Sequence, residues 1–131
     1  MSIWGAAIGL ALGLAAAPVL GAEIDWSKAK QVDDIATEYA FTPAHLQFRA
    51  GTPYRLRVVN RGQETHEFTA PQFFATLDIR DPSVLNADRT ELVVQPGTEK
   101  NLDFVARKAG TYELRCSDHD WAGMTGDIVV K

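Results

Sequence analysis

Strict alternation of apolar and polar side chains, repeated along one chain, constrains the fold more than any other feature of this sequence. In "TPYRLRVVN", Tyr54, Leu56 and Val58 fall on one face, with Arg55 and Arg57 on the other. "NLDFVAR" sets Leu102, Phe104 and Ala106 against Asn101, Asp103 and Arg107. "TYELRC" sets Tyr112, Leu114 and Cys116 against Thr111, Glu113 and Arg115, and in "GDIVVK" Ile128 and Val130 share a face. A period of two with one apolar face marks half-buried strands.

The breaks between these runs, "RAGTP", "NRGQE", "QPGTEK" and "RKAG", carry turn residues. Strands are expected to start near Ile35, Leu46, Tyr54, His66, Glu91, Asn101, Thr111 and Gly126. Seven or eight short strands with close turns predict an all-β, antiparallel Greek-key sandwich. A short helix is expected at "PQFFATL", where Pro71 suits a first turn. Phe73, Phe74 and Leu77 then read as a lid on the core, with an apolar docking patch as the lesser reading.

The N-terminal stretch obeys a different rule. Ile3 to Ala22 carries no charge and is rich in Ala, Leu and Gly, and "VLGA" ends it with small residues. Residues 1–22 therefore read as a signal peptide cut after Ala22, which sends the chain to the periplasm or otherwise outside the cell. The competing reading is an uncleaved anchor facing the periplasm, since about 20 apolar residues span a bilayer. Residues 23–34 are expected to form an N-terminal extension, and 35–131 one folded domain. All 13 basic and 17 acidic residues follow Ala22, so the net charge of −4 belongs to the chain from Glu23 on. No basic stripe invites nucleic acid.

Cys116 is the only cysteine, which excludes an intramolecular disulfide. An exported lone thiol is expected to be buried, metal-bound or paired with another chain. Its phase with Tyr112 and Leu114 turns the sulfur inward at a strand end. In "THEFTA", Thr65, Glu67 and Thr69 are polar, so His66, Phe68 and Ala70 are expected to face the core and the polar three to face out. The short loop "CSDHDWAGM" can return His119 and Met124 to the sulfur. Two imidazoles, one thiolate and one thioether are the donors of a type 1 copper centre. Each residue also has a plainer reading. Cys116 could be a buried structural thiol, Met124 a gap-filler, His66 a satisfied core histidine and His119 a solvated loop residue. It is their combination that favours the metal. His45, out of phase with Leu46 and Phe48, is expected on the surface.

In Cys116, His119 and Met124, with His66 upstream, the sequence resembles the cupredoxins, and its Cys-two residues-His-four residues-Met spacing resembles the plastocyanin and pseudoazurin kind. The resemblance spans roughly Ile35 to Lys131. It implies one copper ion (Cu+/Cu2+) held by His66, Cys116 and His119, with Met124 axial, in a monomeric electron carrier. It also implies a transient redox partner such as a c-type cytochrome, met at the rim of His119. Trp121 is the candidate for an apolar contact there, and Glu64, Glu67, Asp118 and Asp120 for a negative field that steers a basic partner. Two departures stand out: Glu67 replaces the asparagine frequent after the first histidine, and Asp118 the proline frequent before the second. The alternative is a periplasmic protein of copper homeostasis, resistance or delivery to a copper-accepting protein, though methionine-rich and histidine-rich tracts are lacking. An enzyme is not expected. Multicopper oxidases and copper nitrite reductases need further histidines, and only His45 remains. A zinc hydrolase would keep an open position for water, and no third group orients a Cys-His pair for proteolysis.

Overall fold

The computed structural model describes Met1, Ser2, Gly13 and residues 23–131. The expected signal peptide thus lies almost wholly outside the described residues. Among those described, no helix is long and apolar enough to cross a membrane.

The described residues form ten strands: β1 Lys30–Thr37, β2 Ala40–Thr42, β3 His45–Phe48, β4 Pro53–Asn60, β5 His66–Thr69, β6 Leu77–Ile79, β7 Glu91–Val94, β8 Glu99–Ala106, β9 Gly110–Arg115 and β10 Thr125–Val130. They pack as a sandwich of two five-stranded sheets, ordered β2-β1-β4-β8-β6 and β3-β10-β9-β5-β7. The inward residues expected of β4, β8, β9 and β10 meet between the sheets. Leu56, Val58, Leu102, Phe104, Leu114 and Ile128 are all buried. Removing such side chains from water is the main driving force for this arrangement.

The sheets are mixed rather than purely antiparallel. β1 runs parallel to β4, from Lys30 opposite Tyr54 to Ala36 opposite Asn60, and β3 runs parallel to β10. Alternation has the same period in both orientations, so it carries no information on strand direction. The three-residue strands β2 and β6 are too short to show a period. β1 starts at Lys30, ahead of the expected Ile35, because Asp33 and Asp34 interrupt its apolar pattern.

A four-residue helix, α1 (Pro71–Phe74), has Pro71 in its first turn and delivers Phe73 and Phe74 to the core. Phe73 lies 5.8 Å from Phe48 and 5.6 Å from Phe104, ring centre to ring centre. These rings close the sandwich as a lid, and their burial removes them from any docking patch. Outside, Arg55 and Arg80 both pair with Asp103, and Arg57 pairs with Asp33 and Glu99. Residues 23–25 lie at the opposite end from His66, where they line a cleft with Gly51, Pro53 and Val105 at the start of β4 and the end of β8.

Asp34 points into the core with 0% exposure, and neither carboxyl oxygen has a hydrogen-bond partner. Burial pushes its carboxyl up to about 7, and the Ile35 N–H offsets this in part without reaching hydrogen-bond geometry. The folded protein therefore holds this proton more tightly than the unfolded chain. Stability from the neutral form is fully present below the unfolded value and is lost as pH rises toward 7. Asp34→Asn should match the wild type near pH 4 and exceed it above pH 7, by at most about 4 kcal/mol. Denaturant unfolding across that range measures the difference.

Candidate metal centre

The loop from Cys116 to Met124 is closed by its own backbone. Cys116 N–H donates to the Met124 carbonyl at 2.9 Å, and His119 N–H donates to the Cys116 carbonyl at 3.2 Å. Gly123, at φ 84°, supplies the left-handed residue that turns the chain into β10. Cys116 and Met124 are both fully buried and belong to one core cluster.

His66, the first residue of β5, reaches the same place from the neighbouring strand and is 1% exposed. Cys116 Sγ lies 3.5 Å from His119 Nδ1 and 3.9 Å from His66 Nδ1. One donor atom from each of the three falls within 4.8 Å of the others, a group that could hold a metal ion. His66, Cys116 and His119 are thus brought together as the spacing anticipates, with Met124 tied to Cys116 through its backbone. His45 stands apart, exposed on β3, with Nδ1 3.0 Å from Asp127.

Glu67 departs from expectation. It is 5% exposed, and all four residues of β5 are buried. A polar residue in this phase is expected to face outward, but Cys116 and the loop that follows it cover Glu67. Its N–H donates to Cys116 Sγ at 3.4 Å, and its Oε2 accepts from Sγ at 3.2 Å. Burial raises the Glu67 carboxyl, and the neighbouring Asp118 carboxyl adds to the rise. Burial pushes the Cys116 thiol up to about 11; the Glu67 N–H opposes this and the Glu67 carboxylate reinforces it. Without a cation the sulfur keeps its proton, which a bound metal must displace.

Three residues beside the site escaped the sequence reading. Asn60 ends β4, where its amide donates to the Glu64 and Val94 carbonyls at 2.8 Å each, and its Oδ1 accepts from Gly62 N–H at 2.8 Å. It lies in phase with Tyr54, Leu56 and Val58, so alternation already marks it as an inward polar residue. Glu38 and Tyr39, in the turn between β1 and β2, carry no periodic signal. Glu38 Oε1 lies 3.2 Å from His66 Nε2. The Glu64 N–H holds the Glu38 carboxyl below the usual range, with Gln63 N–H adding to it. The Tyr39 ring is centred 4.9 Å from His119 and 5.9 Å from Trp121. Trp121 is 76% exposed and donates to the Asp118 carbonyl at 2.8 Å. Tyr39, His119 and Trp121 thus form an aromatic rim over the cluster, with Glu64 3.6 Å from His119 Nε2.

A β-sandwich with a buried His-Cys-His donor group at one end is the class defined by this fold and site. Residues 6–130 match the family described as cupredoxin-like domain. The chain belongs to that family. No curated protein matches it. Among solved structures it is similar to the reduced auracyanin of the photosynthetic bacterium Roseiflexus castenholzii, at 18% identity, covering 79% of this chain and 98% of that one, with a TM-score of 0.60. It is likewise similar to auracyanin A, a "blue" copper protein of Chloroflexus aurantiacus, at 20% identity, covering 77% and 98%, with a TM-score of 0.57. A multicopper oxidase of Campylobacter jejuni aligns at 15% identity over 86% of this chain but 32% of that one, with a TM-score of 0.62. At such identities the likeness is one of fold.

Removing the Asn60 side chain would leave three backbone groups beside the site without their partner. Asn60→Ala should lower the free energy of unfolding by about 3 kcal/mol. Urea denaturation checks this, and an effect below about 0.5 kcal/mol would show that water replaces the amide at little cost.

Proposed function

We propose that this chain is an exported electron carrier with one type 1 copper centre, held by His66, Cys116 and His119 with Met124 axial. The observation that carries the reading is the convergence of a buried sulfur and two imidazole nitrogens within 4.8 Å. Soft sulfur and borderline imidazole together fit both common copper oxidation states, so the donor chemistry suits the metal. When bound, copper would supply a one-electron couple between Cu(I) and Cu(II).

The protein's own residues do the rest. Cys116 gives up its proton on metal loading, and the Glu67 N–H then donates to the thiolate. Strands β5 and β9 and the closed loop hold the donors on a packed core, which limits rearrangement as charge changes. His119 offers the edge nearest to solvent, with Tyr39 and Trp121 as the apolar contact for a partner. Glu64 and Asp118 beside this rim favour a basic partner such as a c-type cytochrome, found faster at low ionic strength. With His66 and His119 engaged and His45 beside Asp127, this chain offers no histidine cluster for a second, catalytic copper.

One observation favours copper delivery as the second reading. The buried Glu67 carboxyl, 3.2 Å from the sulfur, stands where it can return a proton to the thiolate as a metal departs. Loss of copper to a mild chelator, with repeated redox cycling failing, would support delivery. Retention through many cycles supports electron carriage.

Adding one equivalent of Cu(II) should produce an intense thiolate-to-copper absorption that ascorbate bleaches and oxidation restores. Cys116→Ser should abolish that band while leaving the far-ultraviolet circular dichroism unchanged. Colour that survives the substitution would remove Cys116 from the ligand set.

A further inference from the structure

The two histidines of the cluster are held differently. His66 is buried, and its Nε2 lies 3.2 Å from Glu38 Oε1. The same oxygen accepts from Gln63 N–H at 2.6 Å and from Glu64 N–H at 2.7 Å. Glu38 belongs to the β1–β2 turn of one sheet, whereas His66 opens β5 in the other. One carboxylate oxygen thus joins the sheets, the loop before β5 and the imidazole. His119 has no equivalent, because its Nε2 stands 3.6 Å from Glu64, beyond hydrogen-bond range.

The backbone is shaped to admit this carboxylate. A Cβ built on Gly62 would lie 2.6 Å from Glu38 Oε2 and 2.7 Å from Cδ. Any side chain there would push the carboxylate away. Asn60 fixes the same turn by accepting from Gly62 N–H. The loop "NRGQETH" therefore forms a socket for Glu38.

The chemistry of this contact is directional. A carboxylate accepts, so the His66 proton resides on Nε2 and the lone pair on Nδ1, the nitrogen that faces Cys116 Sγ at 3.9 Å. A carboxylate behind a ligating imidazole fixes its ring orientation and raises its basicity. A fixed negative charge there also favours the more highly charged state of a bound cation.

We propose that Glu38 is a positioning residue of the metal centre, holding His66 as the Nε2–H tautomer with Nδ1 free to ligate and biasing the site toward Cu(II) over Cu(I). The second half rests on the copper reading above; the first does not.

The test uses the full chain. Without metal, two-dimensional proton–nitrogen spectra of the imidazoles should show His66 as the Nε2–H tautomer alone; Glu38→Gln, whose oxygen still accepts, should keep it, and Glu38→Ala should turn it into a mixture. A wild-type His66 protonated on Nδ1 would overturn the proposal. Gln at position 38 still offers an oxygen to the Gln63 and Glu64 N–H groups, so the loop is retained while the charge is lost. With copper, Glu38→Gln should keep the intense absorption yet raise the reduction potential, its preference for Cu(II) over Cu(I) falling about tenfold. Gly62→Ala should shift the potential the same way by displacing the carboxylate. Glu113→Gln, exposed on β9, should leave it unchanged. If Glu38→Gln and Gly62→Ala shift it no more than Glu113→Gln, the bias is overturned while the copper site stands. If the wild type forms no such band, the copper reading falls, and the metal-free tautomer alone decides for or against Glu38.

Discussion

The hydrogen bond from Cys116 N–H to the Met124 carbonyl, 2.9 Å long, carries the site. It extends the β9–β10 pairing, which runs from Val130 opposite Gly110 up to Thr125 opposite Arg115, by one further closure. The loop beyond it is then too short to wander. His119 is left partly exposed above a sulfur that is fully buried. The donor from β5 depends on a thinner connection, since β5 meets β9 only through Thr69 and Arg115. That explains why so much else converges on His66: Val94 across the β5–β7 ladder, Asn60 on the Val94 carbonyl, and Glu38 on the ring.

Around these donors the protein sets carboxyl groups in unequal surroundings. Glu67 is buried and shares its contacts with the sulfur and Asp118, so its charge is disfavoured by desolvation. Glu38 meets two backbone N–H groups and remains ionised more readily than usual. Glu64 is about half exposed and acts through solvent-screened charge. Three glutamates around the cluster thus exert three different influences, and counting them as one acidic rim would miss the distinction.

The sandwich and the gathering of His66, Cys116 and His119 at its end were legible because both depend on periodicity and short spacing. Tyr54, Leu56 and Val58 declare an inward face, and Cys116 inherits its direction from Tyr112 and Leu114. Strand direction was not legible, because β1 and β3 pair in parallel without altering their alternation. Glu67 and Thr69 misled for another reason: polarity predicts exposure only where nothing covers the outer face, and β5 is covered there. Asn60 could have been found, as a polar residue in an apolar phase. Glu38 could not, since it reaches His66 across 28 residues through a turn that leaves no periodic trace.

The cleft lined by residues 23–25 lies where β4 begins, and β4 ends at Asn60 beside the His66, Cys116 and His119 cluster. Eight residues of extended strand separate those ends by about 25 Å. The described domain is therefore polar in the geometrical sense, entered at one pole and chemically equipped at the other. A molecule diffusing up to the His119 rim therefore meets the pole farthest from Glu23, where no other part of the described chain stands in its way.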